Sequence, residues 1–133
     1  MIELVAPHRG TDDYGSGAFG APRGKKKHRG IDLAAANGSG LKSPIDGVVS
    51  KWGFPYADTT EFRYIQVTDM EGLKHRFFYC MPLLEKGTIV RKGDVIARVQ
   101  NIAGHYSEKR MVNHLHYEVK TPNGEYINPG SFE

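Results

Sequence analysis

The stretch Asn113-His114-Leu115-His116-Tyr117-Glu118-Val119 decides how this chain is read. Successive side chains of an extended strand leave opposite faces, so Leu115, Tyr117 and Val119 share one side while His114 and His116 share the other. The first side suits a core. The second sets two imidazoles next to each other, which suggests a metal. Two ligands cannot close a metal site, and the further candidates lie upstream in His28-Arg29-Gly30-Ile31-Asp32. If that piece is extended too, His28 and Asp32 face one way. Three of these groups, two nitrogens and one carboxylate oxygen, make the donor set of a hydrolytic zinc with one position open for water.

Away from these two pieces the chain reads as short strands joined by turns. Met1 to Val5 alternates weakly and reads as an edge strand or tether. Ala6 to Gly24, rich in Gly, Pro, Asp and Ser, reads as an irregular surface loop that carries His8. Asn37 to Gly40 is a turn, Ser43 to Trp52 a strand entry kinked at Gly47, and Phe54 to Glu61 a longer loop. Phe62 to Thr68 alternates as a strand, Asp69 to Gly72 turns it, and Leu73 to Met81 returns. Gly87 and Gly93 stand at hairpin spacing before the strand Asp94 to Val99. A loop from Gln100 to Val112 leads into the histidine strand, and Thr121 to Gly124 turns the chain back toward Tyr126 to Pro129. No stretch holds a helical apolar period over three turns. The fold class expected is mainly β, a single small domain over residues 1–133 made of antiparallel sheets, with long loops lining a cleft.

Composition narrows the function. A charged fraction of 25% and a hydrophobic fraction of 39% fit one globular domain with a modest core. No apolar run approaches the roughly 20 residues that cross a bilayer, and the amino end lacks a secretory pattern, so a soluble chain is expected and its compartment is undetermined. The single cysteine, Cys80, excludes an internal disulfide and reads as a small core residue. The net charge of +3 concentrates in Lys25-Lys26-Lys27-His28-Arg29. Without interleaved aromatics or a reading element this run does not make a nucleic-acid binder; it reads as a solvated loop or an electropositive rim.

Several pieces taken together resemble the lysostaphin-type, LytM-like zinc endopeptidases of bacterial peptidoglycan. They are Ser16 to Gly20 with Arg23, His28 to Asp32 running into Leu33-Ala34-Ala35, Ser43 to Val49, Lys92 to Ile96, His114 to Glu118, and Asn128-Pro129, in the family's order over nearly the whole chain. The resemblance implies a small β domain of the duplicated hybrid-motif type. It implies Zn2+ held by His28, Asp32 and His116, with His114 as a catalytic histidine beside the metal. The expected substrate is a peptidoglycan cross-bridge or stem peptide, reached at the cell wall after lysis, from a virion or through a dedicated secretion system. Imidazoles with one carboxylate suit zinc better than magnesium or calcium, which call for more oxygens. Tyr14, Phe19, Tyr56 and Tyr106 are the aromatic candidates for walls of a peptide groove.

One position departs from the family. Active members carry another histidine in a Tyr-x-His segment, and here Tyr79-Cys80-Met81 puts Met81 in its place. A thioether has no proton to give. His75 shares the parity of Met81, but six residues at about 3.3 Å each put it about 20 Å away. His105 lies in the loop before the histidine strand, from which it could swing in. The stretch around Phe77 to Gly93 and the long insertion after Trp52 look more like the branch containing leukocyte cell-derived chemotaxin, which keeps the zinc ligands, lacks that histidine and is regarded as a binding protein without peptidase activity. The alternative expectation is therefore a catalytically silent, zinc-containing module for wall fragments or a protein partner.

Overall fold

Residues of alternating polarity make strands, and strands make up most of what the computed structural model describes: residues 30–56, 60–105 and 113–132, with two-residue strands at 11–12, 15–16, 22–23 and 26–27. In chain order these are β1 (Thr11–Asp12), β2 (Gly15–Ser16), β3 (Pro22–Arg23), β4 (Lys26–Lys27), β5 (Ile31–Ala34), β6 (Gly40–Lys42) and β7 (Gly47–Gly53). Then come β8 (Tyr64–Asp69), β9 (Lys74–Phe78), β10 (Cys80–Pro82), β11 (Ile89–Val90) and β12 (Val95–Val99). A one-turn helix α1 (Ile102–His105), β13 (His114–Lys120), β14 (Tyr126–Ile127) and a 3-10 turn at Pro129–Phe132 complete the order.

A seven-stranded antiparallel sheet runs β11-β7-β8-β9-β13-β14, with β5 sharing with β14 the edge of β13 that lies opposite β9, and a three-stranded sheet runs β10-β12-β6. Leu115, Tyr117 and Val119 of β13 are wholly buried on the inner face of the large sheet, with Leu33, Ile65, Val67 and Phe77 from neighbouring strands. Leu41, Cys80, Ile96 and Val99 close the core from the small sheet. Each such side chain contributes about 1.5–3 kcal/mol by leaving water. That inner face carries the stability, which leaves the outer face of β13 able to hold polar groups.

The hairpin expected at 69–72 is present: Asp69 Oδ1 accepts from the amides of Glu71 and Leu73, and Gly72 takes the positive φ of 82° that the turn requires. The returning strand is not continuous to Met81 as expected. Tyr79 adopts a left-handed φ of 68°, which costs a non-glycine residue about 1–2 kcal/mol. Its amide and that of Cys80 both donate to the Arg63 carbonyl, at 2.8 and 3.1 Å, and its own carbonyl accepts from the Gln100 amide at 2.8 Å. These bonds hold a switch point where the chain leaves β9 for β10 in the other sheet. Parity counted from His75 to Met81 fails across that switch. His75 is excluded from the outer face for a different reason than length: it points into the core, fully buried.

The loop expected over residues 100–112 opens with the turn of helix α1. The irregular loop expected over residues 6–24 holds the strand pair β1 with β2 and the strand β3, which pairs with β4 at Lys26–Lys27 of the basic run just beyond it. The segment 1–5 and His8 lie outside the described residues. No helix among the described residues is long and apolar enough to cross a membrane.

Candidate metal centre

Strand pairing places the candidate centre. In the antiparallel register of β5 with β13, Asp32 stands directly opposite His116, so both leave the same face of the sheet. The Asp32 Oδ1 to His116 Nδ1 distance is 3.0 Å, and His114, two residues along on that face, brings Nε2 to 3.8 Å from Oδ2. Asp32 and His114 are buried at 3% and 5% exposure, so water screens any interaction between them only weakly. Of the four residues singled out for a metal, the structure brings these three together; His28 lies outside the described residues.

A fourth group, not given a role from sequence, completes the arrangement. Glu118 Oε1 lies 2.9 Å from His116 Nε2 and is itself buried. The ring of His116 thus sits between two carboxylates. Burial alone would push its pKa down, but the hydrogen bonds and charges of Asp32 and Glu118 outweigh that and raise it. With a neutral ring donating Nε2–H to Glu118, the Nδ1 lone pair would face a carboxylate oxygen at 3.0 Å. That contact is favourable only with a positive charge between or on the two atoms, a proton or a cation.

Among the described residues, no group of three or more His, Cys, Asp or Glu side chains is arranged to hold a metal ion. The donor set nevertheless fits two of the ligands of a zinc. Two donors of a tetrahedral zinc with bonds of about 2.0–2.1 Å lie roughly 3.3 Å apart, close to the observed 3.0 Å. A ligating imidazole ordinarily has its other nitrogen fixed by a carboxylate, which is the place of Glu118.

The surroundings hold these groups still. Gly30 lets β5 lie close against β13, because a Cβ there would meet the Tyr117 carbonyl oxygen at 2.2 Å. Asn113 secures the entry to β13: its Nδ2 donates to the carbonyls of Ala35 and Gln100, and its Oδ1 accepts from the Ala103 amide. Phe78, directly opposite His116 on β9, packs its ring 5.2 Å from the imidazole. Tyr79 stands edge-on to His114 at 5.7 Å, and its hydroxyl meets that of Tyr56 at 2.6 Å. The left-handed backbone at Tyr79 thus turns an aromatic wall toward a candidate catalytic ring.

Tyr56, one of the aromatics expected to line a groove, belongs to that wall. Tyr14, Phe19 and Tyr106 lie outside the described residues, as does the side chain of His105. Met81 stands on β10 opposite Arg98, 42% exposed, with its sulfur 3.7 Å from Arg63 Nη1. With Phe62 and Gln100 it lines an open cavity of about 340 Å³. His75 serves the core: its ring bonds the Tyr117 hydroxyl at 2.7 Å and Asp69 at 2.8 Å. Glu118 was legible in principle, since it shares the parity of His114 and His116. Phe78 and Asn113 act through register and loop contacts that no local pattern announces.

This architecture is similar to that of the catalytic domain of the antimicrobial peptidase lysostaphin from Staphylococcus simulans, with a TM-score of 0.66 at 19% identity, covering 89% of each chain. It is similar as well to the catalytic domain, in a mutant form, of the prophage-encoded M23 protein EnpA from Enterococcus faecalis, with a TM-score of 0.64 at 21% identity over 94% of this chain and 95% of that one. At these identities the likeness is one of fold. In sequence the chain is 26% identical over 110 residues to leukocyte cell-derived chemotaxin-2 of Bos taurus, covering 83% of this chain and 71% of that protein. The model of Peptidase family M23 matches residues 26–129, well over half of the chain, and the protein therefore belongs to peptidase family M23.

Proposed function

We propose that residues 1–133 form one zinc-dependent endopeptidase domain acting on peptide cross-bridges or stems of peptidoglycan at the cell wall. The observation that carries this reading is the Asp32 carboxylate facing both His116 Nδ1 and His114 Nε2 across paired strands, with Glu118 behind His116. His28, Asp32 and His116 hold the metal. When bound, zinc supplies a Lewis acid for an amide carbonyl. Glu118 accepts the Nε2 proton of His116 and so fixes which ring nitrogen faces Asp32. His114, kept in place by the edge of Tyr79, gives or takes a proton at Nε2 during amide cleavage. Phe78 and Tyr79 shield the two rings from water, which strengthens each charge interaction there.

Met81 supports a second reading, a zinc-containing module that binds wall fragments or a protein partner without cleaving them. A thioether moves no proton, and losing one acid-base group lowers the rate by about 100- to 10,000-fold. Release of amines from purified peptidoglycan separates the two. Hydrolysis by the zinc-loaded protein that falls about 100-fold or more in His114→Ala, with zinc still bound, is the outcome of the first reading. No release from either protein defeats it. Under the second reading, Met81→His creates hydrolysis that the parent chain lacks.

A further inference from the structure

The cavity bordered by Met81 carries charged groups that the candidate metal centre does not use. Cys80 pairs with Val99 and both face the core, so Met81 and its cross-strand partner Arg98 leave the outer side of the small sheet. With Asn37, Glu61, Gln100 and the buried Phe62 they line an open cavity of about 340 Å³. Phe62 stands edge-on to Tyr79 at 5.8 Å, and Tyr79 edge-on to His114 at 5.7 Å, so the cavity lies beyond a pair of aromatic side chains from His114. Its wall is fixed from behind. Gln100 Oε1 accepts from the Arg63 amide at 2.8 Å, and Gln100 Nε2 donates to the Glu61 carbonyl at 2.9 Å. Arg98 Nη1 donates to the Gly38 carbonyl at 3.1 Å. Groups held in this way lose little freedom when a ligand arrives.

The volume falls at the lower end of small-molecule pockets, about 300–1,000 Å³, and suits a ligand of one or two amino-acid units. Met81, 42% exposed, offers such a ligand apolar surface. The charged side chains on the wall are one carboxylate, Glu61, and one guanidinium, Arg98. An occupant displaces water from both. An anion would suit Arg98 and be repelled by Glu61, and a cation would meet the reverse. An uncharged occupant, a sugar for example, would strip water from two charges and return no charge to either. An occupant carrying both signs answers both groups, and a carboxylate also matches the guanidinium fork. We infer that this cavity binds a small zwitterion, an amino acid or dipeptide, with its carboxylate toward Arg98, its ammonium toward Glu61 and a small apolar side chain against Met81. The site stands whether or not the chain cleaves peptidoglycan.

The chain holds four methionines, so protein with isotope-labelled methionine methyl groups gives few signals, and Met81→Leu identifies the one from Met81. The intact protein is titrated at constant ionic strength with alanylalanine, with its carboxyl-terminal amide and with its N-acetyl form. Alanylalanine should move the Met81 signal saturably with a midpoint on the order of 1 mM, and each capped form should bind about tenfold more weakly. Arg98→Gln should erase the preference for the free carboxylate over the amide. Glu61→Gln should erase the preference for the free amine over the acetyl form. Both side chains are exposed, so the two variants keep the core intact and read binding alone. No saturation by about 100 mM, a loss on only one of the two caps, or a preference that survives its own substitution would overturn the inference.

Discussion

Replacing Gly30 by alanine tests whether the close approach of β5 to β13 sets the geometry of the candidate centre. The added Cβ would lie 2.2 Å from the Tyr117 carbonyl oxygen and 3.0 Å from Glu118 Cβ. Tolerated contacts begin near 3.0 Å, so β5 must retreat by about 0.8 Å at that point. Asp32 lies two residues along the same strand, and its contact with His116 is 3.0 Å. Carried that far, the retreat takes the pair out of hydrogen-bond range, which ends at about 3.2 Å. Overpacking of this kind costs about 1–3 kcal/mol. Gly47→Ala is the matched control, because a Cβ there would meet the Thr68 carbonyl oxygen at 2.3 Å across the pair β7 and β8, away from His116. Denaturant unfolding of the two metal-free variants should show similar losses. Zinc affinity, measured by competition with a chelating dye, should fall about 10- to 100-fold in Gly30→Ala and stay near the parent value in Gly47→Ala. Equal zinc affinity in the two variants, at equal loss of stability, would refute the reasoning.

Three other outcomes follow from groups around the same strand. Glu118→Gln keeps the shape of the side chain and removes its charge, and zinc affinity measured by the same competition should fall about 10- to 100-fold. Burial, only partly offset by Asp69, pushes the pKa of His75 below its ordinary 6.5. The unfolded chain therefore takes up a proton that the folded chain refuses, and stability should fall as pH drops below about 6.5, by up to about 1.4 kcal/mol per pH unit. Urea unfolding across pH should show that slope in the parent protein and its loss in His75→Gln. Burial also drives the Cys80 thiol well above its usual range, so a thiol reagent should leave Cys80 unmodified in the native protein and label it once the chain is denatured.

The sequence by itself determined which face each residue of the histidine strand would take. Alternation is a property of a single strand, so Leu115, Tyr117 and Val119 were legible as core and His114 with His116 as the opposite face before any partner strand was known. Turn chemistry at Asp69 to Gly72 was legible for the same local reason. What pairs with what is not local. Only the tertiary structure put Asp32 across from His116, Phe78 across its other side, and Glu118 on its far nitrogen, because register is set by the packing of whole sheets. It decided too that Tyr79 would take a left-handed turn between two sheets, a conformation its side chain opposes and three backbone hydrogen bonds hold. That turn places Met81 in the smaller sheet beside Arg63 and leaves His75 in the core, two outcomes that counting along an assumed continuous strand could not reach.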